Sequence, residues 1–241
     1  MLPTALIYHR ISDEPGAQDD PFTVTPERFR AQMGWLARWG YAGVGQGAAL
    51  TSGAGRRVAL TFDDGTEDFF TTAWPDVRAR GWGATAFVVT GRVGATADWE
   101  VAQGARLMDW QQLRALRAEG VEIGAHAHQH RALDLLPPDE ARADLAAAYA
   151  ALAREVGPPE GVAYPFGRGG RGVARAAEAA GFAWGATARG GRSRRDGPRY
   201  LLRRTQVRGD DGPLRFWIKV TTGYARWVEW RMDVKRMKDE L

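Results

Sequence analysis

An α/β fold of the barrel type is predicted by three observations on this 241-residue chain. Short apolar runs alternate with helical patterns along almost the whole length. The runs are bounded by Gly, Asp or Pro, as buried parallel strands tend to be. Seven or eight such strand and helix units fit into about 200 residues, the density of a closed or nearly closed α/β barrel.

The strands are expected over residues 4–9, 42–45, 58–62, 85–89, 121–125, 161–164 and 182–187, with a further one over 201–207. A first helix is expected over 26–39, with Pro26 in its first turn, Phe29, Met33 and Leu36 at helical spacing, and Gly40 as a stop. Others are expected over 66–80, 109–119, 138–156 and 171–180. The Ala-rich helix from Pro138 opens with Asp139 and Glu140, which suit the positive end of its dipole. The Gly/Arg/Ser stretch 189–199 reads as a mobile loop. From 216 to 237 the chain mixes Trp217, Trp227, Trp230 and Met232 with Arg and Lys, the pattern of a terminal helix that lays its Trp face on the barrel. A peripheral contact of this basic segment with a membrane surface is the other use of such a pattern. No linker or internal repeat interrupts the chain, so residues 1–241 are read as one domain with a helical segment at about 213–241.

Composition narrows the function. Hydrophobic residues make up 44%, enough for a packed core, which excludes global disorder. There is no cysteine, so disulfide scaffolds, thiolate metal sites and cysteine nucleophiles are excluded together. No apolar run reaches the roughly 18–20 residues that span a bilayer. The opening Met1-Leu2-Pro3-Thr4-Ala5-Leu6-Ile7-Tyr8-His9-Arg10 lacks the pattern of a signal peptide, which gives a cytoplasmic location as the expectation. The terminal Lys238-Asp239-Glu240-Leu241 spells a retention signal that has no use without a leader, and is read as coincidence. Charge is uneven: residues 1–165 carry 15 basic and 21 acidic side chains, residues 166–241 carry 18 and 8. No nucleic-acid motif accompanies the basic third, so no nucleic-acid partner is expected.

Three strings carry chemistry, each placed after an expected strand, where the loops of an α/β barrel build its active face. The first is Thr61-Phe62-Asp63-Asp64-Gly65. Two adjacent carboxylates repel unless a cation or proton is shared, and Gly65 lets the backbone turn both toward one place. An Asp turn in which Asp64 caps the next helix accounts for the same string. The second is His126-Ala127-His128-Gln129-His130, which holds three of the four histidines within five residues. His126 and His130 can share one face, with His128 pointing elsewhere. With Asp64 they make a three-ligand site that leaves a position open for water, the pattern of a catalytic metal. The third is Ala163-Tyr164-Pro165-Phe166-Gly167, whose Pro and Gly fix a turn able to aim backbone N–H groups into a site. His9, at the end of the first strand, is the remaining histidine and would reach the same face.

These strings resemble the metal-dependent polysaccharide deacetylases with the NodB-homology domain, carbohydrate esterase family 4. The first string matches that family's first motif residue for residue, and the second matches its His-x-x-x-His motif, with Ala127 where Ser or Thr is usual. Tyr8-His9-Arg10-Ile11 and Tyr164-Pro165-Phe166-Gly167 resemble the branch of poly-N-acetylglucosamine deacetylases. The resemblance implies a distorted (β/α)7 TIM-like barrel that hydrolyses an N-acetyl group on a sugar. It implies a divalent cation held by Asp64, His126 and His130, with Zn²⁺ the default and Co²⁺, Ni²⁺, Fe²⁺ or Mn²⁺ able to use the same ligands. Asp63 becomes the general base and His9 the acid that protonates the departing amine. Phe166, with Tyr164 and Pro165, positions the substrate and offers a backbone N–H to the oxyanion. The expected partner is an N-acetylated glycan or glycolipid.

The chain departs from the family in two places. Ala163 stands where many members carry an arginine that orients the base, and Leu202-Arg203-Arg204 stands where many carry Leu-x-His. Two other readings follow from the same residues: a metal-dependent hydrolase of another non-peptide amide or imide, and a barrel that binds glycan without turnover.

Overall fold

The computed structural model describes residues 1–14, 20–52, 55–99 and 102–223. One eight-stranded sheet runs β7-β6-β5-β4-β3-β1-β8, with β2 paired to β3 off this path and every strand pairing parallel. Its strands are β1 (Thr4–Tyr8), β2 (Ala42–Val44), β3 (Arg57–Phe62), β4 (Thr85–Val88), β5 (Glu122–Ala125), β6 (Gly161–Ala163), β7 (Trp184–Ala186) and β8 (Thr205–Gln206). The helices are α1 (Pro26–Arg38), α2 (Gln46–Thr51), α3 (Trp74–Ala79), α4 (Trp110–Ala118), α5 (Pro138–Glu155), α6 (Arg171–Ala179) and α7 (Pro213–Thr222). No described helix is long and apolar enough to cross a membrane.

β3 pairs with three strands, β1, β2 and β4, and is buried along Val58–Ala59–Leu60–Thr61–Phe62. β1 pairs with nearly its whole length, while β2 takes the first half of its other edge and β4 the second half. Glycine makes room for a large ring on the neighbouring strand: a Cβ on Gly161 would lie 2.2 Å from the Trp184 ring. That ring instead meets Phe87 edge to face, with centroids 5.9 Å apart.

The strand expected over 201–207 forms only its second half, and the reason is the way the sheet closes. Leu202 bridges Ala186 of β7, whereas Thr205 and Gln206 pair with Leu6 and Ile7 of β1. The segment thus crosses from one edge of the curled sheet to the other, and the residues at the crossing leave the ladder.

The helix expected over 66–80 is also interrupted. Pro75 carries no N–H to continue the hydrogen-bond ladder. The chain takes a π turn over Phe69–Ala73 and restarts as α3 with Pro75 in its first turn. α2 was not expected. α1 is capped by Thr25, whose side chain accepts from Arg28 N, and α4 by an Asp109/Gln112 capping box. The Arg-rich stretch expected to be a mobile loop is tied to the start of β1: Leu2 N donates to Ser193 O and Arg192 Nε to Leu2 O. In α7, Phe216 is buried against Trp35 and Trp39, while Trp217 is 45% exposed. Trp227, Trp230, Met232 and the rest of the expected terminal helix lie outside the described residues.

Candidate active site

The central strands end at one rim, and the pairing is in register up to it. Tyr8 lies opposite Phe62, Phe62 opposite Ala86, and Val88 opposite Ala125. Beyond the last pairs the ladder continues by single bonds, Asp63 N to Tyr8 O at 2.9 Å and His126 N to Val88 O at 2.7 Å. His9, Asp63, Asp64 and His126 are therefore delivered side by side, and all four are buried.

The backbone there is bent out of the ordinary regions. Four non-glycine residues among those described have positive φ, and all four belong to the strings singled out by sequence: Asp64 at 70°, Ala127 at 62°, His130 at 51° and Phe166 at 60°. Each such residue costs on the order of 1 kcal/mol or more, so their concentration at one rim marks a place where geometry is fixed against local preference. Gly65, at φ 76°, completes the turn after β3; a Cβ there would sit 2.9 Å from a Val88 methyl carbon.

Asp64 Oδ1 lies 3.5 Å from His126 Nε2 and 3.3 Å from His130 Nε2. One donor atom from each of the three residues falls within 4.8 Å of the others, and all three residues are buried. His126 Nδ1 donates to Ala163 O over 2.9 Å, which fixes the tautomer and leaves the Nε2 lone pair toward Asp64. Burial drives the His126 pKa down to about 4 against the pull of Asp63 and Asp64, so its ring is neutral at pH 7, as a ligand must be. Asp64 is held well below the carboxylate range, burial being outweighed by the hydrogen bond from His130 and the nearby imidazoles. Its second oxygen is buried without a partner. Two imidazole nitrogens and an ionised carboxylate, one of whose oxygens is orphaned, are a donor set that suits a divalent cation.

His130 is held by a different device from His126. Its ring is sandwiched between Trp99, stacked at 4.3 Å and 29°, and Phe166 at 4.9 Å. Its Nδ1 is buried and makes no hydrogen bond. His128 turns away as expected: its Nδ1 lies 2.9 Å from Thr90 Oγ1 and its N–H donates to Asp144.

Asp63 faces a partner that sequence reasoning did not find. Arg204, fully buried at the crossing between β7 and β1, donates to both carboxylate oxygens at 2.7 and 2.8 Å. It is itself held by Thr61 Oγ1 at 3.0 Å, by Thr187 O at 3.3 Å, and by the face of Phe87 at 5.0 Å. Burial would raise the Asp63 pKa, but the charge and hydrogen bonds of Arg204, with His126 and His9, bring it below its ordinary value. The arginine absent at position 163 thus has its counterpart at 204. The one sequence signal was its place two residues after Leu202, where the histidine of Leu-x-His would stand.

The other expected residues occupy the same rim or its support. His9 is buried, its ring against Phe22 at 5.6 Å and its Nδ1 without a partner. Pro165 is buried and Phe166 is 58% exposed beside His130. The Tyr164 side chain points into the core, where its hydroxyl donates to Tyr200 O, so what reaches the rim from Tyr164 is backbone.

The polysaccharide deacetylase pattern matches residues 51–185, more than half of the chain. This chain belongs to the polysaccharide deacetylase family. It is 33% identical over 136 residues to the poly-β-1,6-N-acetyl-D-glucosamine N-deacetylase of Escherichia coli K12, a stretch covering 51% of this chain and 20% of that protein. The chain therefore spans about a fifth of the length of that relative. A Bacillus subtilis protein named for the same family, YxkH, is 27% identical over 209 residues, covering 84% of this chain and 70% of that one. Among solved structures, IcaB of Ammonifex degensii superposes with a TM-score of 0.77 at 25% identity, covering 89% of this chain and 95% of that one. The Streptococcus pyogenes deacetylase PplD, solved with acetate, gives 0.77 at 23% identity, covering 91% and 98%. The curled parallel sheet with its surrounding helices is the distorted (β/α)7 barrel of these neighbours.

Proposed function

We propose that this chain is a metal-dependent N-deacetylase that acts on an N-acetylhexosamine-containing glycan or glycolipid and releases acetate. The observation that carries the reading is the pairing of two adjacent carboxylates with two different environments: Asp64 faces His126 and His130, and Asp63 faces Arg204. A binding barrel has no need of that division, and a general base does.

A divalent cation held by Asp64, His126 and His130, with Zn²⁺ the default for this donor set, supplies Lewis acidity toward water and the acetamide oxygen. Asp63 takes the proton of the attacking water while Arg204 keeps its carboxylate ionised and fixed in direction. As water oxygen bonds to the acetyl carbon, the Phe166 N–H stands as donor to the carbonyl oxygen, in a turn held by Tyr164 and Pro165. The C–N bond then breaks as His9 gives a proton to the nitrogen, which leaves as a free amine with acetate as the other product.

The name of the E. coli relative makes β-1,6-linked N-acetylglucosamine oligomers the first substrates to try, with lipid-linked N-acetyl sugars beside them. Acetate release is measured with and without chelator and with Zn²⁺, Co²⁺, Ni²⁺, Fe²⁺ or Mn²⁺ restored. Chelator-sensitive acetate is the expected result. Tightly held metal with no acetate from any glycan would move the reading to another amide substrate, and no metal with no acetate would move it to glycan binding alone.

A further inference from the structure

At the end of the barrel opposite the catalytic rim, a concavity of about 400 Å³ opens between Thr4 at the start of β1, Ser52, Arg56 and Arg57 before and at the start of β3, and Arg192 and Arg195 from the β7–β8 connection. No Asp or Glu among the described residues lines it. β3 separates Arg57 from Asp63 by its full length, about 20 Å at strand rise, so this hollow is distinct from the catalytic site.

The four guanidiniums are held in place by neutral acceptors. Arg56 donates to Trp39 O and Arg57 to Ser52 Oγ. Arg192 donates to Leu2 O, and Arg195 to Leu50 O and Ser52 O. Among the described residues none of them pairs with a carboxylate, whereas the adjacent Arg194 is neutralised by Asp196 at 2.7 Å. Two helices, α2 and α7, bring their C-terminal ends to the same place through Thr51 and Thr221. Each such end is worth about half a negative charge, so together they offset about one of the four positive charges. Among the described residues about three remain without compensation. Anchored arginines from separate segments that keep unused N–H donors match the oxygens of a phosphoryl group, which a fork of N–H groups can grip in pairs.

We infer that this arginine-lined hollow is a binding site for a phosphate-bearing anion, a diphosphate or phosphomonoester of about two to three negative charges. The site does not depend on the deacetylase reading, and two of its arginines, Arg192 and Arg195, come from the basic third of the chain. The anion is either a soluble phosphate ester or the headgroup of a membrane lipid; both present the same oxygens.

The test uses the full chain and its Arg57→Gln/Arg195→Gln variant. Binding of inorganic pyrophosphate is followed by calorimetry at low salt, with thermal melts to verify folding. Sedimentation with vesicles of phosphatidic acid, whose headgroup is a phosphomonoester, and phosphatidylcholine is compared with phosphatidylcholine alone. Pyrophosphate is expected to bind the parent chain. The double variant should bind it about a hundredfold more weakly, about tenfold for each guanidinium removed. Acetate release is expected to be the same in both proteins. Pyrophosphate binding together with phosphatidic-acid-dependent sedimentation assigns the headgroup; pyrophosphate binding alone assigns a soluble ester. No pyrophosphate binding by the parent chain, or equal binding by a folded double variant, would overturn the inference.

Discussion

Arg204 grips Asp63 with two parallel hydrogen bonds, 2.7 and 2.8 Å long, across 141 residues of chain. The pair joins the segment before β8 to the end of β3 and sets the direction of the carboxylate next to the metal-ligand set. Its worth is therefore double, to the closure of the barrel and to the reaction.

Replacing Arg204 by Met leaves a buried carboxylate without its cation, and breaking such a pair costs about 3–5 kcal/mol. A drop in Tm with acetate release reduced by orders of magnitude is expected. Arg204→Lys separates the two roles. It keeps charge but loses the planar fork, so it should recover much of the stability and little of the turnover. Full turnover in Arg204→Lys, measured under saturating substrate, would show that charge alone orients Asp63.

Asp63→Asn tests the base. The amide keeps the shape but cannot take a proton, so turnover should fall by about two to four orders of magnitude. Asp63 does not belong to the three-donor group, so bound metal, measured by elemental analysis, should stay at the parent level. A loss of metal in parallel with activity would instead assign Asp63 to the ligand set.

How much of this could be read from the sequence depended on how local each signal was. Asp63-Asp64-Gly65 and His126 to His130 are contiguous strings after strands, and the rim placed them together as their spacing implied. The same locality served most of the strands, whose apolar runs fall within a residue or two of their observed ends. Arg204 was out of reach because its partner is fixed by the crossing of the sheet, which no spacing encodes. β8 was overlong for the same reason: one part of that apolar run bridges to β7 and another pairs with β1. α2 was missed because Gln46-Gly47-Ala48-Ala49-Leu50-Thr51 is too short to display a period. The break at Pro75 was legible in principle, since proline inside a helical pattern is a local mark.

His9 is the one histidine at the rim that lies outside both the ligand set and the Arg204 pair and could serve as acid. His9→Ala should lower turnover by about two orders of magnitude or more, since an amine leaves poorly without a proton. A substrate with a better leaving group, such as an aryl acetamide, needs that proton less, so the loss should shrink on it. Equal loss on both substrates would make His9 a structural part of the rim rather than the acid.

The two histidine ligands make contrasting predictions. His126 is oriented by a hydrogen bond to Ala163 O, whereas His130 has the flanking rings of Trp99 and Phe166 to hold it at a strained φ of 51°. Trp99→Ala removes one wall of that sandwich without touching a ligand atom. Hydrogen-bonding groups that orient a histidine ligand are worth about 10–100-fold in metal affinity, and the stacked ring does that orienting for His130. Competition against a chromophoric chelator should therefore show metal held about tenfold more weakly or worse in Trp99→Ala, with Trp99→Phe close to the parent because a ring face is restored. His130→Ala and Asp64→Ala, which delete donors outright, set the lower bound of the same titration. If Trp99→Ala binds metal as tightly as the parent, the strained turn alone must aim His130, and the stacked indole is packing.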